Sequence, residues 1–114
     1  MRTRSQAVAL QSAIEAIGSP RRRQILRLVW DAERSAGEIA ARSDVSWPAV
    51  SQNLRILKSS GLITERRMGT HRYYRAHRQA LAPLESVLRQ MWIADLGRLK
   101  QLAEAEAKKG RRQG

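Results

Sequence analysis

Apolar residues recur at helical spacing in the first part of the chain. A stripe of them predicts a first helix over residues 5–17, which Gly18 ends. Ser19 and Pro20 are typical of a helix N-terminus, because serine is a common cap and proline suits the first helical position. The apolar residues behind them predict a second helix that runs to about Ala32.

Two further capped segments predict a helix-turn-helix over residues 35–59. Ser35 and Glu38 have the spacing of a capping box at the start of a short third helix. Ser46 then caps a fourth helix, in which Pro48 lies in the first turn, where its missing N–H costs nothing. The apolar face of this helix is expected to point inward and comprises Val50, Leu54 and Leu57.

Residues 62–76 have the pattern of a β-hairpin. Two short strands flank a bend at Gly69, a residue that tolerates positive φ. Tyr73 and Tyr74 alternate across the second strand, so one of them is expected to pack inward. The hairpin is strongly basic, since it carries Arg66, Arg67, His71, Arg72 and Arg75. Their mutual repulsion predicts an anionic partner, which a phosphate backbone would supply.

A long amphipathic segment closes the chain. Its apolar stripe has a mean step of about 3.5 residues, the period of helices that pack along each other, and predicts one helix over residues 80–108. Residues 109–114 form a basic tail that is expected to be disordered. The stripe is too wide for so small a core, so we expect it to form a homodimer interface with the first helix. The predicted interface residues are Leu10, Ile14, Leu84, Leu88, Met91, Trp92, Leu96 and Leu99.

The composition of the chain indicates the chemistry of its partner. Lys and Arg outnumber Asp and Glu by 22 to 10 in 114 residues, a formal net charge of +12. That excess predicts a polyanionic partner, with nucleic acid first and an anionic membrane surface second. The basic residues are spread over every segment rather than along one helix face, which argues against the membrane. No segment is apolar enough to span a bilayer, and a cytoplasmic protein is expected.

The predicted order of elements is that of a mainly α fold with a small β-hairpin, a single winged helix-turn-helix domain over residues 1–114. The second helix of such a pair lies in the major groove of duplex DNA. Its outward residues offer matching chemistry, because Gln52 can bond adenine and Arg55 can bond guanine. The candidate DNA-binding residues are Ser46, Trp47, Pro48, Ser51, Gln52, Arg55, Arg66, Arg67, His71 and Arg72.

Several runs of residues resemble the ArsR/SmtB-type repressors. Residues 45–57 followed by 60–63 closely resemble the recognition helix and following strand of that family. Residues 16–26 resemble its second-helix entry, and the Gly69 hairpin matches its wing. The resemblance implies a homodimeric repressor whose first and last helices form the interface. The long last helix is similar to a metal-independent subgroup often described as autorepressors. The two-fold symmetry of such a dimer predicts an inverted-repeat operator.

Metal sensing is common in this family but is not expected here. The chain has no Cys, and Asp95 in the last helix has no histidine near it in sequence. His71 and His77 stand without an organised third ligand, so neither a metal nor another cofactor is expected. A second departure is Trp47, which stands where the family usually has a small polar residue. The sequence leaves three roles open for Trp47: it could contact a thymine methyl, cover a sugar, or pack against the preceding helix.

Two other classes of function compete with DNA binding. An RNA-binding winged module would use the same charge, but RNA recognition usually relies on exposed aromatics, which make up only 4% of the chain. An enzyme would need site elements that the sequence lacks, such as a glycine-rich phosphate loop, a G-x-S-x-G elbow or paired carboxylates. The sequence therefore favours a DNA-binding regulator that is not an enzyme.

Overall fold

The computed structural model describes residues 4–113, with side chains for residues 8–109. Its elements follow in the order α1 (Arg4–Ile17), α2 (Pro20–Leu28), β1 (Arg34–Ser35), α3 (Ala36–Ala41), α4 (Trp47–Ser59), β2 (Ile63–Met68), β3 (His71–Ala76), α5 (Arg78–Leu81), a 3-10 turn (Ala82–Leu84) and α6 (Glu85–Gln113). This order confirms the predicted winged helix-turn-helix fold. Within the described residues, no helix has the length and apolar character needed to cross a membrane.

Serine caps begin the helices where the sequence places them. The Ser19 hydroxyl accepts from the backbone N–H of Arg22 at the start of α2. Ser35 and Glu38 form the complete capping box of α3, with both hydrogen bonds at 3.2 Å. Ser46 caps α4 in the same way as Ser19 caps α2. Each cap satisfies a backbone donor that would otherwise lack a partner, and together they fix where the helix-turn-helix begins.

The three strands form one antiparallel sheet in the order β1-β3-β2. β2 and β3 are the predicted hairpin, and Gly69 takes a φ of 62° in its turn, in the left-handed region that favours glycine. β1 goes beyond the sequence prediction, because two residues are too few to show the alternation that marks a strand.

The second helix ends at Leu28 rather than near Ala32. The carbonyl of Val29 accepts a hydrogen bond from the N–H of Ala76 in β3 at 2.9 Å. The Arg34 side chain donates to the Leu28 carbonyl at 2.7 Å. The last carbonyls of α2 are therefore satisfied by the hairpin and by a side chain, so the chain can leave the helix early.

The predicted helix over residues 80–108 differs at both ends. It begins as α5 and passes through the 3-10 turn, because Pro83 has no N–H to donate to a regular helix. It then continues as α6 to Gln113, so the expected disorder of the basic tail is wrong for residues 109–113. A single glycine at position 110 costs only about 1 kcal/mol in a helix, and Arg and Gln are good helix formers.

The core draws on every helix and on the hairpin. Trp30 lies fully buried after α2, and its ring meets Trp92 of α6 edge to face, with 5.3 Å between the centroids. The indole N–H of Trp92 donates to the Arg23 carbonyl at 2.9 Å. Tyr74 is the buried tyrosine of the hairpin and Tyr73 is only half-buried, which confirms the predicted alternation.

Part of the predicted dimer interface lies in the core of the single chain. Leu84, Leu88 and Trp92 are at most 9% exposed, so the expectation that they form an exposed patch is wrong. The start of α6 packs on the core through Trp92, whose ring meets that of Trp30. This part of the apolar stripe is therefore buried within one protomer. The other predicted residues differ in exposure: Leu10 and Met91 are half-buried, whereas Ile14, Leu96 and Leu99 are exposed.

An ion pair ties α2 to α6. Arg23 is 7% exposed and donates through Nε and Nη2 to the two carboxylate oxygens of Asp95, both at 2.8 Å. Its Nη1 donates to the Ile17 carbonyl at the end of α1, also at 2.8 Å. Hydrogen bonding to Arg23 lowers the pKa of the Asp95 carboxyl. One side chain therefore joins three helices and holds α6 against α1 and α2.

Candidate nucleic-acid interface

The outer face of α4 is polar and fully accessible. The helix buries Val50, Leu54 and Leu57, as predicted from their spacing. Ser51, Gln52 and Arg55 lie on the other side and are all exposed. An exposed face that combines an amide, a guanidinium and a hydroxyl can bond the edges of bases in the major groove.

The N-terminus of α4 belongs to the same surface. Ser46, Trp47 and Pro48 are exposed there, and Trp47 keeps 57% of its surface. A Cβ at Gly37 in α3 would lie 3.5 Å from Cζ2 and from Cη2 of Trp47. One edge of the indole thus lies beside α3, while more than half of the side chain remains accessible to a ligand.

The register of the hairpin divides its basic side chains between two faces. Residues directly opposite each other in an antiparallel pair share a face. Arg67 lies opposite Arg72, on the same face as the buried Tyr74. Arg66 lies opposite Tyr73 on the other face, which His71 also shares. The sequence treats these side chains as one group, whereas the structure separates them.

A groove of about 340 Å³ runs between α4 and the hairpin, on the face that carries Arg72. Its lining residues are Ala36, Ser51, Leu54, Arg55, Lys58, Glu65, Arg72 and Tyr74. The candidate residues of α4 and one arginine of the hairpin are therefore brought together. Three of the lining side chains are cations, so the groove suits a ligand with negative charge.

Glu65 organises the cations around this groove. Its carboxylate accepts from Lys58 Nζ at 2.9 Å and lies 3.7 Å from Arg72 Nε and 3.8 Å from Arg67 Nε. The hydrogen bond from Lys58 lowers the pKa of the Glu65 carboxyl. The carboxylate therefore stays ionised and keeps the cations of α4 and of the hairpin near one another, at the cost of offsetting part of their charge.

Arg66 is engaged by a different acid. It donates through Nη2 and Nε to the two carboxylate oxygens of Glu33, at 2.6 and 3.1 Å, and its guanidinium lies over the Tyr73 ring, 5.4 Å from the centroid. Hydrogen bonding to Arg66 lowers the pKa of Glu33. A phosphate would have to compete with this two-pronged ion pair, so Arg66 is a weaker candidate than Arg72.

Sequence reasoning missed two residues of the groove. Lys58 could have been found from its position three residues after Arg55, which places both on one helix face. Glu65 gives no such signal, because an isolated acid in a basic hairpin reads as a solvated charge. Its role follows only from the register of β2 and its distance from α4.

The described residues include no cluster of three or more His, Cys, Asp or Glu side chains that could hold a metal ion. His71 lies at the tip of the hairpin. His77 follows β3, with its Nδ1 3.1 Å from the Gly61 carbonyl. Asp95 is paired with Arg23.

A second surface, on α6, is apolar. Leu96, Leu99 and Leu102 are 62%, 59% and 59% exposed. They line one side of a groove of about 430 Å³, and α2 lines the other side through Pro20 and Leu28. Contiguous exposed leucines on a small protein usually mark a contact with another apolar surface.

Polar side chains on the exposed face of a capped helix, with a cationic hairpin beside them, fit duplex DNA. The class is thus a winged helix-turn-helix DNA-binding protein. The model of the arsR family of bacterial regulatory proteins matches residues 19–65, which include the helix-turn-helix and the start of the hairpin. The chain belongs to this family.

Individual relatives agree over most of the chain. The HTH-type transcriptional regulator Rv2034 of Mycobacterium tuberculosis is 35% identical over 94 residues, which cover 82% of this chain and 88% of the relative. The transcriptional repressor SdpR of Bacillus subtilis is 37% identical over 65 residues, 57% of this chain and 72% of that protein.

A solved structure supports the same fold. The solution structure of Mb0332 from Mycobacterium bovis is described as a homodimeric winged helix-turn-helix DNA-binding domain. It is 32% identical, has a TM-score of 0.65, and covers 83% of this chain and 91% of its own. The chain is a DNA-binding transcriptional regulator. Its family is one of regulators, and the RNA-binding alternative is not favoured.

Proposed function

We propose that the protein represses transcription as a homodimer bound to an inverted-repeat operator, in the cytoplasm of a bacterium. In this proposal residues 35–59 are the helix-turn-helix, residues 62–76 are the wing, and the dimerisation helices lie within residues 5–17 and 80–108. The observation that carries the proposal is the exposed base-reading face of α4 beside a groove lined with cations. Repression is favoured because the repressor SdpR matches over 72% of its length, against 56% for the activator HlyU of Vibrio cholerae.

Base readout is assigned to Gln52 and Arg55. Both side chains are exposed on the second and third turns of α4, the helix that enters the major groove in such a pair. Arg55 also lines the groove toward Arg72, so one guanidinium can bond guanine while the other meets the adjacent phosphate. Ser46, Pro48 and Ser51 complete the surface that faces the groove of the DNA.

The homodimer is supported by the apolar surface of α6 and by the homodimeric relative. We assign the interface to Leu96, Leu99 and Leu102, joined by Ile14 of α1. A two-fold dimer presents two copies of α4, so the operator contains two inverted half-sites about one helical turn apart, roughly 34–36 Å. Regulation by this dimer is independent of metal.

Selection of bound sequences from random duplex DNA tests the proposal. The expected result is an inverted repeat that the protein binds at least about 1,000-fold more tightly than unrelated DNA. Gln52→Ala and Arg55→Ala should each cost about 1–3 kcal/mol per half-site and relax the preference at one base pair. Failure to enrich any sequence, or full specificity in both variants, would refute the assignment of α4 as the reader.

The matched control is Arg78→Ala. This change also removes one exposed arginine, but Arg78 lies beyond the end of β3 that is remote from the hairpin tip. Its 3.7 Å ion pair with the exposed Asp31 contributes little to stability. The Arg78 guanidinium also lies over the buried Trp30 ring, 4.9 Å from the centroid, so thermal unfolding of this variant is measured as well. Affinity for the operator should therefore stay close to that of the unmodified protein. Repression is then tested by placing the selected operator in a promoter and measuring transcript with and without the protein.

A further inference from the structure

Trp47 is exposed, unlike the other two tryptophans of the chain. Trp30 and Trp92 are 1% and 7% exposed and belong to the core, whereas Trp47 is 57% exposed. An aromatic ring of this size gains much from burial, and leaving it in water forfeits that gain. The position of Trp47 at the first residue of α4 places this apolar surface on the face assigned to DNA.

The ring of Trp47 lies beside α3. A Cβ at Gly37 would be in ordinary contact with Cζ2 and Cη2 of the ring, at 3.5 Å. A residue with a longer side chain at position 37 would occupy the space that the indole now uses. Gly37 is thus a positioning residue for Trp47, because the absence of a side chain there leaves room for the ring.

The chemistry of the major groove restricts what an indole can read there. Base edges offer hydrogen-bond donors and acceptors and one apolar group, the C5-methyl of thymine. An aromatic face gains nothing from the polar edges but can bury the methyl. We propose that Trp47, which has room beside Gly37, contacts a thymine methyl in each half-site and thereby selects thymine at that position. This inference rests on the proposed function, since it requires α4 to enter the major groove.

Deoxyuridine provides the direct test, because it differs from thymidine only in lacking that methyl. Each thymine of the selected operator is replaced in turn by deoxyuridine, symmetrically in both half-sites. We expect one position at which the unmodified protein loses about 15-fold in affinity, or about fourfold per methyl. The same substitution should have no effect on Trp47→Ala, which should bind the thymine and deoxyuridine operators equally.

Two pairs of variants separate contact from positioning. Trp47→Phe keeps an aromatic ring and should retain part of the sensitivity to deoxyuridine, whereas Trp47→Ala should lose it. Gly37→Ala adds only a methyl at contact distance and should behave as the unmodified protein. Gly37→Leu should displace the indole and reduce the sensitivity to deoxyuridine. Thermal unfolding should stay cooperative in the Trp47 variants, because the side chain lies mostly outside the core.

Fluorescence gives a readout that does not depend on affinity. Trp47 is the exposed tryptophan, so acrylamide should quench it strongly in the free protein and weakly once the operator is bound. Unchanged quenching on binding would overturn the contact. A uniform loss of affinity in Trp47→Ala without any deoxyuridine effect would indicate a backbone contact and would also overturn it. An operator selected normally but insensitive to deoxyuridine refutes this inference alone, whereas failure to select any operator refutes the proposed function as well.

Discussion

α4 and α6 both carry an apolar stripe but differ in what they leave exposed. In α4 the stripe is buried along its whole length to Leu57, and the opposite face exposes an amide and a guanidinium. In α6 the stripe is buried only as far as Trp92 and then continues as three exposed leucines. The difference shows that a helical apolar pattern alone does not say which of its residues the protomer buries. We expect the exposed polar face of α4 to meet a charged polymer and the exposed leucines of α6 to meet another apolar surface.

The largest effect is expected when the apolar face of α6 is made polar. Leu99→Glu leaves the core intact, because Leu99 is 59% exposed in the protomer, but it places two carboxylates in the two-fold interface. Burying such charges without partners costs several kcal/mol, so the dimer should dissociate and operator affinity should fall about 100-fold or more. Light scattering and operator titration measure both effects.

The control for this prediction is Gln101→Glu, which adds the same charge on α6 two residues further along, on another side of the helix. It should leave the dimer intact. Trp92→Glu is unsuitable as a test, because Trp92 lies in the core and its replacement would unfold the protomer. If Leu99→Glu were still dimeric at micromolar concentration, the assignment of α6 as the interface would be wrong.

The next effect concerns the ion pair that joins α6 to α2. Asp95→Ala leaves Arg23 buried without its acid, which should lower the free energy of unfolding by about 3 kcal/mol. The Asp95 pKa is lowered in the folded state, so the pair stabilises the protein above the unfolded aspartate pKa of about 3.9. That contribution is lost as the pH falls toward the folded pKa.

Urea unfolding at several pH values checks this prediction. The difference between the unmodified protein and Asp95→Ala should be constant near neutral pH and should shrink below about pH 4. Asp31→Ala is the matched control, since Asp31 is 76% exposed and its ion pair is long. A difference that is independent of pH down to pH 2 would show that packing, not the ion pair, supports α6.

A smaller effect is expected within the hairpin. Arg72→Ala should weaken binding to all duplexes alike and lower the salt slope by about one, because its side chain lines the groove beside α4. Arg66→Ala should do less, since Glu33 already engages Arg66. Glu33→Gln should release Arg66 and make the salt dependence steeper. Equal losses for the two arginines, or base-specific losses for either, would contradict this division of the hairpin.

The smallest effect is expected from metals. We expect zinc or arsenite at physiological concentration to leave operator affinity unchanged, because the chain has no Cys and its two His residues lack an organised third ligand. Operator titration in the presence of each metal, against a chelator-treated sample, measures this. A stoichiometric change in affinity would be incompatible with a metal-independent regulator.

Local sequence signals predicted the helix-turn-helix well and the use of α6 less well. The serine caps act within four residues, so Ser35 and Ser46 mark the starts of α3 and α4 in the sequence itself. Which members of the α6 stripe are buried depends on Trp30, which lies far away in the chain. The pairing of Arg66 with Glu33 spans 33 residues and likewise leaves no local signal.

The position of β2 at the edge of the sheet gives its charges a second consequence. An edge strand presents unpaired backbone groups that can recruit another strand, and successive strands added in this way build an aggregate. In β2 the residues Glu65, Arg66 and Arg67 occupy the centre of that edge, and the opposite edge, β1, is only two residues long. The charged side chains of β2 at one edge and the short length of β1 at the other both discourage the addition of another strand. The charged side chains of β2 thus also help to keep the sheet at three strands while no DNA is bound.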